Sequence, residues 1–480
     1  MVDTVSYSGL LVSLFLPWLT GWVWVRWILR NTGHWNWFIV MGQGYLIGVL
    51  AMTLLLGVWG RLGLPFYFWS IATSLGFLCA LGLVLLKLHP PQASLRVEAK
   101  LQCGRWASAV VALLLALMAF RYATILQEML LRPLYPWDAW MNWAPKAIVW
   151  FNQGEFTNWV SPSAWLASDP EAGNYTLGAR GSWRYPEVIP LVQLWGMLGA
   201  GTSESNLILL PWFFLAISLG LTLFGYLKLA GAPTVVAVIA SYLLMNLPYI
   251  NVHTVLGGYA DLWVAAAFSC AAFALYQWEK NRHPGSAVLV ALLVLLCTQL
   301  KVPGLIFGAI VILAWLLTLL RAFKRPLVFY VFGLLLLVAV TLLIGVNIEL
   351  PMAGTLKISM NGVTVPYIGS FNFGYNAIHE AMINTIFLIN NWSLLWYFFV
   401  LMIVISPFWG VGADSTVSLR VNIALSLLFL FFVYYFTERY RFAEDYTQVN
   451  RALLCSVPVM IFFLSDIVRR YLARSYINAV

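Results

Sequence analysis

Apolar residues in this chain come in long continuous windows, not in the alternation of a half-buried strand or the one-sided stripe of a surface helix. Thirteen windows stand out, lying within 8–25, 37–58, 64–86, 106–126, 205–227, 233–250, 259–278, 286–300, 303–320, 327–346, 393–411, 419–436 and 449–467. About 20 apolar residues cross the hydrocarbon of a bilayer as a helix. The pattern therefore predicts an all-α polytopic membrane protein with about 13 transmembrane helices. The eighth window is short and runs almost directly into the ninth. Continuous runs also exclude an outer-membrane barrel, whose strands alternate in polarity. The opening MVDTVSYSGLLVSLF has neither a basic segment nor an A-x-A site, and reads as a first span instead of a cleaved signal peptide.

Composition agrees. Of 480 residues, 62% are apolar and 9% charged, against about 25% charged in soluble domains. Too little polar surface exists to cover a water-facing shell. The 24 tryptophans fit aromatic belts at the interfaces. The cysteines Cys79, Cys103, Cys270, Cys297 and Cys455 are odd in number, scattered, and without metal-ligand spacing. They read as small buried hydrophobes.

Charge sets an orientation. With the N-terminus outside, 16 of the 27 Lys/Arg residues, all in short loops or the tail, and only 4 of the 18 Asp/Glu residues fall on the cytoplasmic face. Net +12 inside then faces net −3 outside, which together give the chain's +9. The positive-inside rule places the N-terminus outside and the C-terminus in the cytoplasm. The expected setting is a multi-pass protein of a cell membrane, by default the bacterial inner membrane.

Three outer loops, about 127–204, 347–392 and 437–448, are too long to be mere connectors. The first holds most of the outer carboxylates and predicts two short interfacial helices. One follows Asp138 in WDAWMNWAPKAIVWF, where Pro145 must kink or restart it. The other is PEVIPLVQLWGMLG, 186–199, with Pro186 at a plausible first position.

Ionisable residues beside apolar windows need a reason. Asp138, at a helix start, is a candidate general base or a plain N-cap. Glu187, at the start of the second helix, is a second acid or a complement to the helix dipole. Asp261, in GGYADLWV behind Gly257 and Gly258, needs a cationic partner, with Lys301 or Arg184 the natural choices. Lys301, in LKVPGLI, suits an anionic head group or snorkels to the interface. The run ERYRFAEDYTQVNR sets Arg439 and Arg451 among carboxylates and tyrosines. It is either a phosphate grip or a solvated loop of mutually paired charges. His379 and Glu380 are weaker candidates.

These segments resemble the GT-C superfamily of polytopic glycosyltransferases, which includes protein O-mannosyltransferases and the bacterial aminoarabinose transferase of lipid A. YPWDAWMNWAPKAIVWF is similar to the family's catalytic Asp and first juxtamembrane helix, and RYPEVIPLVQLWGMLGAG to its second. GGYADLWVAAAFSCAAFALY, LKVPGLIF and VNRALLCSVPVMIFF are similar to later segments, the last to an Arg-before-last-span pattern. The resemblance covers roughly 106–467, leaving 1–105 as a three-span extension and 468–480 as a cytoplasmic tail.

It implies transfer of a sugar from a polyprenyl-phosphate donor to a glycan, lipid or protein acceptor at the outer leaflet of the lipid bilayer, with inversion and with no cofactor or nucleic-acid partner. Asp138 carries over as base, and Lys301 and Arg451 as phosphate ligands. Trp137, Trp140, Tyr185, Tyr259, Lys146, Asp261 and Arg439 are the further candidate substrate contacts, with Glu187 as a second catalytic acid. The chain departs from the family in its three extra spans and in having Ala139 where an Asp-Glu pair is common. It has no DxD motif, which argues against a metal-bound nucleotide-sugar donor. The alternatives are a transporter or flippase of lipid-linked glycans, or a non-catalytic scaffold.

Overall fold

The computed structural model describes residues 5–32, 35–90, 104–179, 181–320, 327–350, 354–366, 369–409 and 417–479. Cys103 lies outside them. The N-terminal three helices are α1 (Tyr7–Ile28), α2 (Trp37–Arg61) and α3 (Phe68–Leu88). After α4 (Arg105–Leu131) comes the first long loop, with α5 (Ala144–Gln153), the short pair β1 (Asn158–Trp159) and β2 (Asn174–Tyr175), α6 (Pro162–Leu166) and α7 (Val188–Ala200). Then follow α8 (Leu210–Leu229), α9 (Thr234–Asn246), α10 (Pro248–Val255), α11 (Asp261–Asn281), α12 (Pro284–Thr298), α13 (Val302–Leu320) and α14 (Leu327–Ile344). The second long loop carries the antiparallel meander β3 (Val346–Leu350), β4 (Gly354–Ser359), β5 (Gly362–Val365) and β6 (Gly369–Asn372), then α15 (His379–Ile383). The chain ends with α16 (Leu395–Ile405), α17 (Val417–Phe436), α18 (Arg441–Glu444), α19 (Val449–Leu453) and α20 (Val457–Ala479).

Every predicted apolar window became helix, because in lipid each backbone N–H and C=O must be satisfied within its own segment. Length and composition do not confirm all thirteen as spans. Among the described residues seven helices are long and apolar enough to cross a membrane, or up to eight if α9 and α10, bent by 57°, form one broken span. At 15 and 11 residues, α12 and α16 are too short to cross a bilayer straight. Helix α11 is long enough but mixes alanine with Tyr, Gln and Trp. It has no need to be greasier: all residues from Asp261 to Trp278 are buried, so protein surrounds it instead of lipid.

Small residues let the helices close up. A Cβ on Gly48 would lie 1.7 Å from the Pro17 carbonyl oxygen, so α1 and α2 touch backbone to backbone there. Helix α7 differs from the interfacial helix expected at 186–199. It starts two residues later and is buried on nearly every side, against α1, α2, α3 and α5. The sheet in the second loop is a further departure from an all-α chain. Cys79, Cys270, Cys297 and Cys455 are buried free thiols, as read from their apolar contexts.

The three long loops converge. Asn372 Nδ2 donates to Glu438 Oε1 at 2.6 Å, Asn384 Nδ2 to the Tyr446 hydroxyl at 3.3 Å, and Trp392 Nε1 to Asn450 Oδ1 at 2.8 Å. The first loop joins them through Asp138, which meets Arg451.

Candidate functional site

Four charged side chains, distant in sequence, meet where these loops converge. Asp138 sits one residue inside a helix that begins at Trp137, and its side chain makes no capping bond. The next five residues, Ala139–Trp143, form a wide π turn that runs into α5. Pro145 explains it: a proline lacks the N–H and its ring crowds the preceding turn, so the ladder widens instead of kinking. Asp261 is the first residue of α11, at the positive end of a helix buried from Asp261 to Trp278. Lys301 occupies the break between α12 and α13. Gly304 keeps that hairpin tight, since a Cβ there would fall 2.0 Å from the Cys297 carbonyl oxygen. Arg451 lies in the single turn α19, just before α20.

The Arg451 guanidinium reaches Asp261 Oδ2 from Nε at 3.1 Å and from Nη2 at 2.6 Å, and Nη2 also pairs with Asp138 Oδ2. Lys301 Nζ is 2.9 Å from Asp261 Oδ1 and 3.9 Å from Asp138 Oδ2. The four side chains are 11–20% exposed, so the charges are largely removed from water yet reachable from it. Two acids and two bases make the quartet neutral. Tyr259 backs it, with the Arg451 guanidinium 4.8 Å from its ring centre. Gly258, just before, has φ +102°. A Cβ there would lie 2.5 Å from the Ala139 Cβ, so only glycine lets the start of α11 approach the Asp138 turn.

Some polar groups near this cluster have no hydrogen-bond partner among the described residues. Asn142 donates to Asp138 Oδ1 at 3.4 Å, yet its own Oδ1 is buried and unpaired among the described residues. So are Gln193 Oε1, on the α7 side of Gly258, and His253 Nδ1, whose ring lies 5.2 Å from that of Tyr259. Buried polar groups are ordinarily satisfied. Sequence reasoning passed over all three residues. Asn142 sits one helical turn from Asp138, which was a usable signal. Gln193 and His253 carried none.

The other candidates fall into two groups. Tyr185 is half-buried, packs its ring tilted against that of Trp143 with centroids 5.1 Å apart, and feels the quartet: burial first, then Asp138, raises its phenol. Lys146 is buried and braces the loop, donating to the carbonyls of Trp183 at 2.9 Å and Tyr185 at 3.1 Å. Burial pushes its ammonium down to about 8, against a smaller opposing pull from Glu187. Trp137 and Trp140 are exposed beside Asp138, at 53% and 48%. Arg439 lies 5.5 Å from both Phe371 and Phe442 rings, between meander and loop.

Glu187 stands apart: it pairs with Arg61 of α2 at 2.6 Å on the surface, and no contact joins it to the quartet among the described residues. Its assignment as a second acid has no geometric support. Arg184, offered as a partner for Asp261, instead lies over Trp183 at 4.8 Å. His379 and Glu380 are exposed at the start of α15. No family model, curated protein or solved structure matches the chain.

Proposed function

We propose that this protein is a membrane glycosyltransferase that moves a sugar from a polyprenyl-phosphate donor to an acceptor hydroxyl. The reading rests on one observation: Asp138, Asp261, Lys301 and Arg451 form a single part-buried cluster, flanked by the exposed Trp137 and Trp140. A donor phosphate competes with the carboxylates for the Arg451 fork, which it grips in bidentate fashion as well as they do, and for the Lys301 ammonium, which binds it as a point charge. Once Arg451 turns to phosphate, Asp138 is released to act as base.

Asp138 then takes the proton of the acceptor hydroxyl. The oxygen attacks the anomeric carbon, the bond from that carbon to the phosphate oxygen breaks, and polyprenyl phosphate leaves with the electron pair. Lys301 and Arg451 stabilise its added charge. One displacement inverts the centre. Asp261 holds both cations on one carboxylate and is a positioning residue. Trp137 and Trp140 offer faces for a sugar ring.

A transporter or flippase is the second reading, favoured by the broken α9–α10 pair and the α12–α13 break, since discontinuous helices build transport sites. Here, however, the α12–α13 break supplies Lys301 to the quartet. The experiment is an assay of the full-length protein in lipid nanodiscs with a panel of polyprenyl-phosphate sugars, scoring transfer to an added acceptor for wild type and Asp138→Asn.

A further inference from the structure

Arg121 lies within α4, ten residues short of its end at Leu131, which leads into the Asp138 loop. At 1.5 Å per residue this is about 15 Å from that end, deep in a helix of which only 17% of the apolar window is buried. Arg121 is itself exposed, among the exposed apolar residues Leu117, Phe120 and, on α10, Val252. Among the described residues no carboxylate pairs with it. Glu128, two turns on, is held by Arg132 at 2.8 Å.

A cation facing lipid ordinarily snorkels to the nearer head-group layer. Two features stop Arg121. Its Cα–Cβ bond tilts toward the helix N-terminus, away from Leu131. And its Nε lies 3.1 Å from the side-chain amide of the buried Asn251, whose other amide atom lies 2.7 Å from the Met245 carbonyl oxygen; turning that amide so that its oxygen faces Arg121 and its nitrogen faces the carbonyl makes both contacts hydrogen bonds. Asn251 is in the first turn of α10, just past the 57° break, so the bend in that span presents the anchor. The guanidinium is held by one edge on an exposed stretch of α4, and with no carboxylate paired to it among the described residues it is open to an anionic partner from outside the chain.

We infer that Arg121 and Asn251 form a binding site for the phosphate of an anionic lipid on the α4–α10 flank. The inference does not rest on the transferase reading. It is tested on delipidated full-length protein in detergent by native mass spectrometry, titrating phosphatidylglycerol, phosphatidylcholine and a short-chain polyprenyl phosphate. Arg121→Gln is expected to weaken at least one anionic lipid about tenfold or more, the range of a lost charge-assisted contact, and to leave phosphatidylcholine unchanged. Arg121→Lys, which keeps charge without the fork, should restore part of the loss. Loss confined to polyprenyl phosphate identifies the site with that lipid, and loss of phosphatidylglycerol as well identifies a general anionic-lipid site. Anionic binding equal to wild type in Arg121→Gln overturns the inference. Should that variant not fold, wild type is labelled with a lipid photoreactive beside its phosphate: adducts on 117–125 or 248–252 support the site, and adducts confined elsewhere overturn it.

Discussion

Replacing Asp261 by Asn leaves Lys301 and Arg451 with Asp138 alone between them and takes the quartet from neutral to net +1. Unit charges 4 Å apart interact by about 4 kcal/mol at an effective dielectric of about 20. Asp261 makes two closer contacts, at 2.9 and 2.6 Å, offset by several kcal/mol for its own desolvation. Removing one partner of a buried pair costs about 3–5 kcal/mol overall, because the other charge stays buried and unpaired. Asp261→Asn should fall in that range, and so should any single change that unbalances the cluster. Lys301→Gln made in the same chain restores neutrality. The double variant is therefore expected to lose at least about 2 kcal/mol less than the two singles together, since residues of one ionic network do not add. Unfolding of the four full-length proteins in mixed detergent–SDS micelles measures this coupling. Additivity within about 0.5 kcal/mol, the behaviour of independent sites, would refute the claim that the four charges act as one unit.

Other consequences can be checked alongside. Gly258→Ala forces a side chain into φ +102° and places its Cβ 2.5 Å from that of Ala139, at a strain of about 1–3 kcal/mol. It should displace the Asp138 turn and cut transfer at least tenfold in a protein that still folds, so unchanged turnover counts against the site geometry. Lys146 has its ammonium lowered to about 8 from 10.5 by burial. The unfolded chain then binds the proton more tightly, so stability rises with pH from about 8 to about 10.5. A Lys146→Met variant should flatten that rise in unfolding curves, and a slope identical to wild type would sink the assignment. Glu187→Gln breaks only an exposed pair, worth about 0–1 kcal/mol. It should keep near-normal transfer, and abolition of activity would return Glu187 to the catalytic set.

The fold was legible where chemistry leaves one solution. Backbone in lipid must be helix, so all thirteen apolar windows landed on helices, while whether each crosses fully depends on neighbours that no window reveals. Helix α11 shows why: its span reads as moderately apolar because protein, not lipid, surrounds it. The four charged residues stood out because acids and cations beside apolar runs are costly. Lys301 could be named as a partner of Asp261. The pairing of Arg451 with Asp138, 313 residues away, could not. The meander at 346–372 was passed over although TLKIS and GVTV alternate as a strand does. Arg121 escaped notice because an arginine inside an apolar window looks like one near a loop until its helix is seen to continue for ten more residues.

The central claim is that this cluster moves a sugar, with Asp138 taking the acceptor's proton. Its most direct test is transfer from polyprenyl-phosphate sugars by purified protein in nanodiscs, wild type beside Asp138→Asn. The expected result is inverted product from wild type and a loss of at least a hundredfold in the variant, the low end for a general base, with the variant still folded. Near-equal turnover by the two proteins, or no transfer from any donor alongside substrate-dependent translocation of the lipid, would contradict it.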